Sequence, residues 1–187
     1  MPATAPYGSW KSPITTDLIV AETISLGQIA LDGDDVYWIE GRPRDGGRNV
    51  IVRNGADVTR APFNVRTRVH EYGGGAFFVD AGTLYFTNDT DQRLHMQPVG
   101  ALPKVLTRGV NLRYADGIVD RPRNRVICVR EDHSVPDREP VNTIVSVSID
   151  EGVEEVLASG NDFYSSPRLS PDGARLAWLT WNHPNMP

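Results

Sequence analysis

Apolar and polar positions along the chain fall into short alternating runs, broken every few residues by Gly, Pro, Asp or Asn. This pattern predicts many short strands, because period-two alternation buries one face of a strand while polar turns absorb the reversals. Four segments share one design, a polar turn followed by a β-branched or aromatic strand: DGDDVYWIE (32–40), DAGTLYFTN (80–88), RPRNRVICVR (121–130) and SPDGARLAWLTW (170–181). Aligned on Val36, Leu84, Val126 and Leu176, they are spaced by 48, 42 and 50 residues. Val58, Val105 and Val156 repeat independently at 47 and 51. Ahead of each turn lies another apolar strand, at 27–31, 74–79, 112–119 and 164–170. After it come two more, as at 49–59 and 142–157. Asn54-Gly55 and Asp150-Glu151-Gly152 supply residues that tolerate the positive φ of hairpin turns.

Four antiparallel strands per unit at this period is the signature of a β-propeller blade. A β-sandwich with evenly spaced strands is the alternative, and two landmarks recurring together favour the propeller. The expected fold is all-β, with blades at about 26–60, 72–107 and 112–158 and an incomplete fourth at 163–187. A lead-in over 1–25 carries one short helix, from about Thr16 to Thr23, capped by Thr15, Thr16 or Asp17. A blade that stops after two strands leaves an unpaired edge, which native domains avoid. The expectation is therefore an incomplete propeller, about three and a half blades of a longer protein.

Composition changes the picture little. The 187 residues are 40% hydrophobic and 23% charged, as in ordinary globular proteins. The 17 glycines and 14 prolines fall between strands rather than in one block, which fits many turns. A net charge of −5 offers no basic footprint for nucleic acid or an anionic membrane. Apolar runs of four residues, such as 18–21 and 76–79, fall far short of the roughly 20 that a membrane helix needs. The N-terminal segment MPATAPYGSW has neither the positive region nor the apolar core of a secretory signal. A single cysteine, Cys128, excludes an intrachain disulfide and a cysteine-rich zinc site. The cytoplasm is the expected compartment.

Catalytic motifs are missing. No serine is framed as Gly-x-Ser-x-Gly, and Ser25 with Gly27 is only half a match. There is no Walker loop, and neither His-Glu-x-x-His nor Cys-x-x-Cys spacing occurs. The Asp-rich turn at 32–35 lacks the downstream glutamate of a calcium loop. His70, His95, His133 and His183 are dispersed, with no ligand spacing, and Cys128 reads as a small buried hydrophobe. No catalytic residue, metal or cofactor is expected within these residues. VHEYGGGAFF (69–78) is the most unusual stretch. Its three glycines predict a bend or a close backbone approach at an inner strand. Glu71 and Tyr72, just before that strand, are the candidate substrate-binding residues: a carboxylate at the mouth of a propeller channel can hold a cationic amino group. Arg66 or Arg68 neutralising Glu71 is the structural alternative.

YGSWKSPIT (7–15), RVHEYGGGAFF (68–78), DQRLH (91–95) and RLSPDGARLAWLTWNHPNMP (168–187) together resemble the N-terminal propeller of prolyl-oligopeptidase-family serine peptidases. The likeness points to the bacterial dipeptidyl-aminopeptidase and acylaminoacyl-peptidase branch, puromycin-hydrolysing enzymes included, and covers nearly the whole chain. It implies a C-terminal α/β-hydrolase domain that holds the Ser-Asp-His triad, so none of the triad maps onto residues 1–187. It also implies a propeller that caps the active site and admits short peptides or aminoacyl substrates. Two other functions compete. A stand-alone propeller scaffold for protein binding would also lack catalytic motifs. An axial lactonase or lyase would need an oxygen cage, for which Glu71, Asp116 and Arg168 make a poor set.

Overall fold

Turn chemistry partitions the chain. The computed structural model describes residues 4–20 and 23–185. A single five-residue helix, α1 (Thr16–Val20), is followed by fourteen strands among the described residues. The Thr15 hydroxyl accepts from the Leu18 amide and caps α1, while residues 21 and 22 of the expected helix lie outside the described residues. The first sheet comprises β1 (Ser25–Asp32), β2 (Asp35–Arg42), β3 (Arg48–Arg53) and β4 (Ala56–Asp57). The second holds β5 (Phe77–Asp80), β6 (Thr83–Thr87), β7 (Leu94–Pro98) and β8 (Lys104–Val105). The third holds β9 (Leu112–Asp120), β10 (Arg125–Asp132), β11 (Val141–Ser148) and β12 (Glu154–Ala158). β13 (Phe163–Leu169) and β14 (Leu176–Trp181) form a two-stranded fourth sheet.

Each sheet is antiparallel with its strands in chain order. Asn54 and Gly55 both adopt positive φ, 48° and 88°, in the tight turn between β3 and β4. The fold is that of a partial β-propeller, as the repeat predicted.

The core lies between sheets, and the period of two assigns each side chain to its layer. Along β10, Val126 and Cys128 join Tyr85, Leu94 and Val145 between the second and third sheets. The intervening Ile127 and Val129 join Ile144 and Tyr164 between the third and fourth. Tyr37, Ile51, Phe77, Leu84 and Phe86 fill the layer between the first and second. Burying each such side chain contributes about 1.5–3 kcal/mol. Burial also pushes the Cys128 thiol well above its ordinary pKa, so it stays protonated.

The first strands of successive sheets lie side by side, and bulges let their side chains stitch neighbouring sheets together. The register of β1 slips between Leu26 and Ile29, which frees Gln28. Its amide donates to the Phe77 carbonyl at 2.5 Å and accepts from the Ala76 N–H at 2.8 Å. The register of β9 slips against Ile127 and Val129, and there Asp116 adopts φ 55°. Its Oδ1 accepts from Gly75 N–H at 2.5 Å and its Oδ2 from Ser166 N–H at 3.0 Å, so one carboxylate ties three sheets. The close approach foreseen at the triple glycine is this contact: a Cβ on Gly75 would stand 2.7 Å from Asp116 Oδ1.

Candidate functional site

The segment 66–75 runs into the second sheet as a left-handed turn. His70 and Glu71 have φ of 55° and 63°, and Gly73 follows at 95°. Two consecutive non-glycine residues in this region cost roughly 1–2 kcal/mol each, so the surrounding structure must hold them there.

Several ties do so. Within the turn, the Glu71 N–H donates to the Arg68 carbonyl and the Gly73 N–H to the Val69 carbonyl. Gln92 accepts from the Arg68 N–H at 2.8 Å and donates to the Arg66 carbonyl at 3.3 Å. The His70 N–H donates to Glu131 Oε1 at 2.6 Å, and His70 Nε2 donates to the Tyr164 carbonyl at 3.1 Å. Arg113 donates to the Arg68 carbonyl at 2.9 Å.

Glu131, at the end of β10, is 2% exposed. Its Oε2 accepts from His133 Nε2 at 3.0 Å and lies 3.8 Å from Arg113 Nη1. His70 Nδ1 stands 3.4 Å from Oε1, within ion-pair range but too poorly aligned for a hydrogen bond. Burial alone would lower the His70 pKa, but the facing Glu131 carboxylate and the Tyr164 carbonyl outweigh it and raise the value. Burial would likewise raise Glu131, and its hydrogen bonds from His70 and His133 hold it below the usual carboxylate range. Both directions favour the charged pair.

An aromatic group packs beneath the turn. The His70 ring lies 5.8 Å from Tyr72, 5.5 Å from Phe163 and 5.9 Å from Trp181. Phe163 and Trp181 stack at 5.5 Å. Asp162 closes the open end of the β13–β14 hairpin, accepting from both the N–H and Nδ1 of His183 at 2.9 Å.

The candidates Glu71 and Tyr72 both face solvent at the crest of this turn, Tyr72 at 63%. Glu71 carries no ion pair or side-chain hydrogen bond among the described residues. Of the expected neutralisers Arg66 and Arg68, Arg68 pairs instead with Asp89 at 3.0 Å and Arg66 makes no ion pair among the described residues. Asp116 and Arg168 do not join Glu71: the first is committed to Gly75 and Ser166, the second donates to the Pro167 carbonyl. No group of three or more potential metal ligands occurs among the described residues.

The motifs at 68–78, 91–95 and 168–187 thus meet in space, through Gln92 and through the His70–Trp181 contact, while the exposed segment 7–15 does not join them. Sequence reasoning missed Glu131, because nothing in RVICVRED distinguishes a buried carboxylate from a solvated strand end. A separate cleft of about 540 Å³, lined by Tyr37, Phe63, Leu84 and Gln97, opens between the first and second sheets and includes neither Glu71 nor Tyr72.

Fold and strand stitching define the class, a partial β-propeller with one elaborated turn leading into its second sheet. Neither a family model nor a curated protein matches the chain. Solved structures do. A puromycin-hydrolysing peptidase of Mycobacterium tuberculosis aligns with 99% of the chain at 37% identity and a TM-score of 0.81. A puromycin hydrolase, solved also as a mutant complexed with PGG, aligns at 34% and 35% identity with TM-scores of 0.81 and 0.82. A nidogen/laminin complex, at 17% identity and a TM-score of 0.58, shares the fold alone. Over nearly its whole length the chain is similar to part of these puromycin-hydrolysing peptidases, consistent with the N-terminal propeller of a prolyl-oligopeptidase-family enzyme. It spans 32% of the length of those peptidases. No helix among the described residues is long and apolar enough to cross a membrane.

Proposed function

We propose that this chain is the substrate-gating propeller of a cytoplasmic serine exopeptidase, of the aminopeptidase or dipeptidyl-peptidase type, acting on short peptides or aminoacyl compounds. The nucleophile, base and acid belong to a C-terminal α/β-hydrolase domain that follows it in the longer polypeptide. The propeller narrows access to that domain, and Glu71 with Tyr72 receives the free amino terminus of the substrate. A carboxylate without a partner among the described residues, lifted into solvent on a left-handed turn that several backbone hydrogen bonds fix, carries this reading. The backbone beneath such a group is preorganised, which lowers the ordering left to meet when an ammonium binds. Tyr72 adds a ring face beside the cation. Catalysis is expected only where propeller and hydrolase domain occur in one polypeptide.

The test is Glu71→Gln in that longer protein. The change removes charge and keeps shape, so kcat/KM for substrates with a free amino terminus should fall roughly 10- to 150-fold, the weight of one charge-assisted hydrogen bond. N-acylated substrates should be little affected. An equal loss for both kinds, accompanied by a sharp fall in melting temperature, would make Glu71 structural and remove the basis of the reading.

A further inference from the structure

The turn that presents Glu71 and Tyr72 rests on a carboxylate 61 residues away in sequence. Glu131 Oε1 receives the N–H of the first left-handed residue, His70, at 2.6 Å, and no other described hydrogen bond uses that N–H. Its Oε2 accepts from His133 and lies within ion-pair range of Arg113, which also reaches the carbonyl of Arg68 inside the turn. A surface turn needs no buried ion to stay folded, and burying a carboxylate is costly unless its hydrogen bonds do work that a neutral residue cannot. Here one oxygen sits on the backbone of the turn and the other on the third sheet.

We propose that Glu131 is the positioning residue of this site: it holds the backbone of His70 in the left-handed region and thereby sets the direction in which Glu71 and Tyr72 face the substrate. It touches no substrate and acts through the His70 amide and ring. Its effect on substrate rests on the Glu71 reading, whereas its effect on the turn does not.

The experiment uses the full-length protein with Glu131→Gln, Glu131→Asp and, separately, Glu71→Gln. Amide hydrogen exchange at residues 70–73 is followed together with kcat and KM for matched free-amino and N-acylated substrates. Glu131→Gln should accelerate exchange at 70–73 by roughly tenfold or more, since a charged acceptor is replaced by a weaker neutral one. Exchange in β6 and β11 should keep its wild-type rate. KM for the free-amino substrate should rise by a similar factor with kcat nearly unchanged, and the N-acylated substrate should not respond. Glu131→Asp keeps the charge and should give intermediate exchange. It decides the matter if the glutamine variant does not fold.

Wild-type exchange at 70–73 in a folded Glu131 variant overturns the proposal, whatever Glu71→Gln does. Faster exchange at 70–73 while Glu71→Gln leaves substrate discrimination intact supports Glu131 as the holder of the turn and removes the substrate reading alone.

Discussion

The third sheet and the first are written in the same strand grammar, yet they bury very different amounts of it. In β11 the alternating residues Ile144 and Val145 are both fully buried, one against the fourth sheet and the other against the second. In β1, Ala30 packs toward the second sheet, while Ile29 and Leu31 on the other face are 70% and 69% exposed. All of these positions are apolar in sequence. The difference teaches that period-two alternation with both phases apolar marks a strand meant to lie between two layers, and that only the neighbouring sheet determines whether each phase finds cover.

The largest expected effect breaks that comparison directly. Ile144→Ala should destabilise the 187-residue chain by about 2–5 kcal/mol, because the third and fourth sheets close around the cavity only in part. Leu31→Ala removes a side chain that water already surrounds and should stay within about 0.5 kcal/mol. Urea unfolding of both variants measures the contrast, and equal losses would mean that β1 is covered in solution.

The comparison also extends to the stitches. Asp116 ties three sheets with two charge-assisted bonds, whereas Gln28 ties two with neutral ones. Asp116→Ala should therefore cost about 3 kcal/mol or more, and Gln28→Ala about 1–2 kcal/mol, by the same unfolding measurement. A Gln28 variant as damaging as the Asp116 one would show that charge contributes nothing to the joint.

The smallest effect is a pH dependence confined to the turn. The folded pKa of His70 is raised above its ordinary 6.5, so its contribution is complete below that value and is lost as pH climbs through the folded pKa. Glu131 is lowered from 4.5, so its contribution is complete above that value and is lost as pH falls through the folded pKa. The charged pair is therefore at full strength from about pH 4.5 to 6.5. His133, Arg113, Tyr72 and Asp116 share the neighbourhood. His95, whose pKa burial lowers, works in the opposite sense as pH falls, so total stability hides the signal. The difference between wild type and His70→Asn isolates it, since asparagine tolerates the left-handed backbone. That difference should be largest between pH 4.5 and 6.5 and should shrink as pH climbs further above 6.5. A flat difference would mean that the His70–Glu131 pair is not charged.

Much of this architecture was legible along the chain because it depends on local patterns. The recurrence of Val36, Leu84, Val126 and Leu176 identified the second strand of every sheet, since that strand follows a polar connection whose residue preferences are strong. The triple glycine announced a close approach, and the tightest one falls at Gly75 against Asp116. The likeness to prolyl-oligopeptidase-family propellers was likewise carried by contiguous motifs. What those motifs share was not legible: His70, Gln92 and Trp181 each look ordinary until the sheets bring them together.

The sequence by itself determined the strands, their turns, the propeller class and the pair Glu71 and Tyr72 as residues to watch, because periodicity and turn preference act over a few residues. Only the tertiary structure decided that Asp116 is a joint rather than a ligand, that Arg68 pairs with Asp89 and not with Glu71, and that Glu131 is buried beneath the turn. The physical reason is the same in each case. A carboxylate's role follows from which donors surround it, and those donors come from segments 21 to 61 residues away in sequence, beyond the reach of any local pattern.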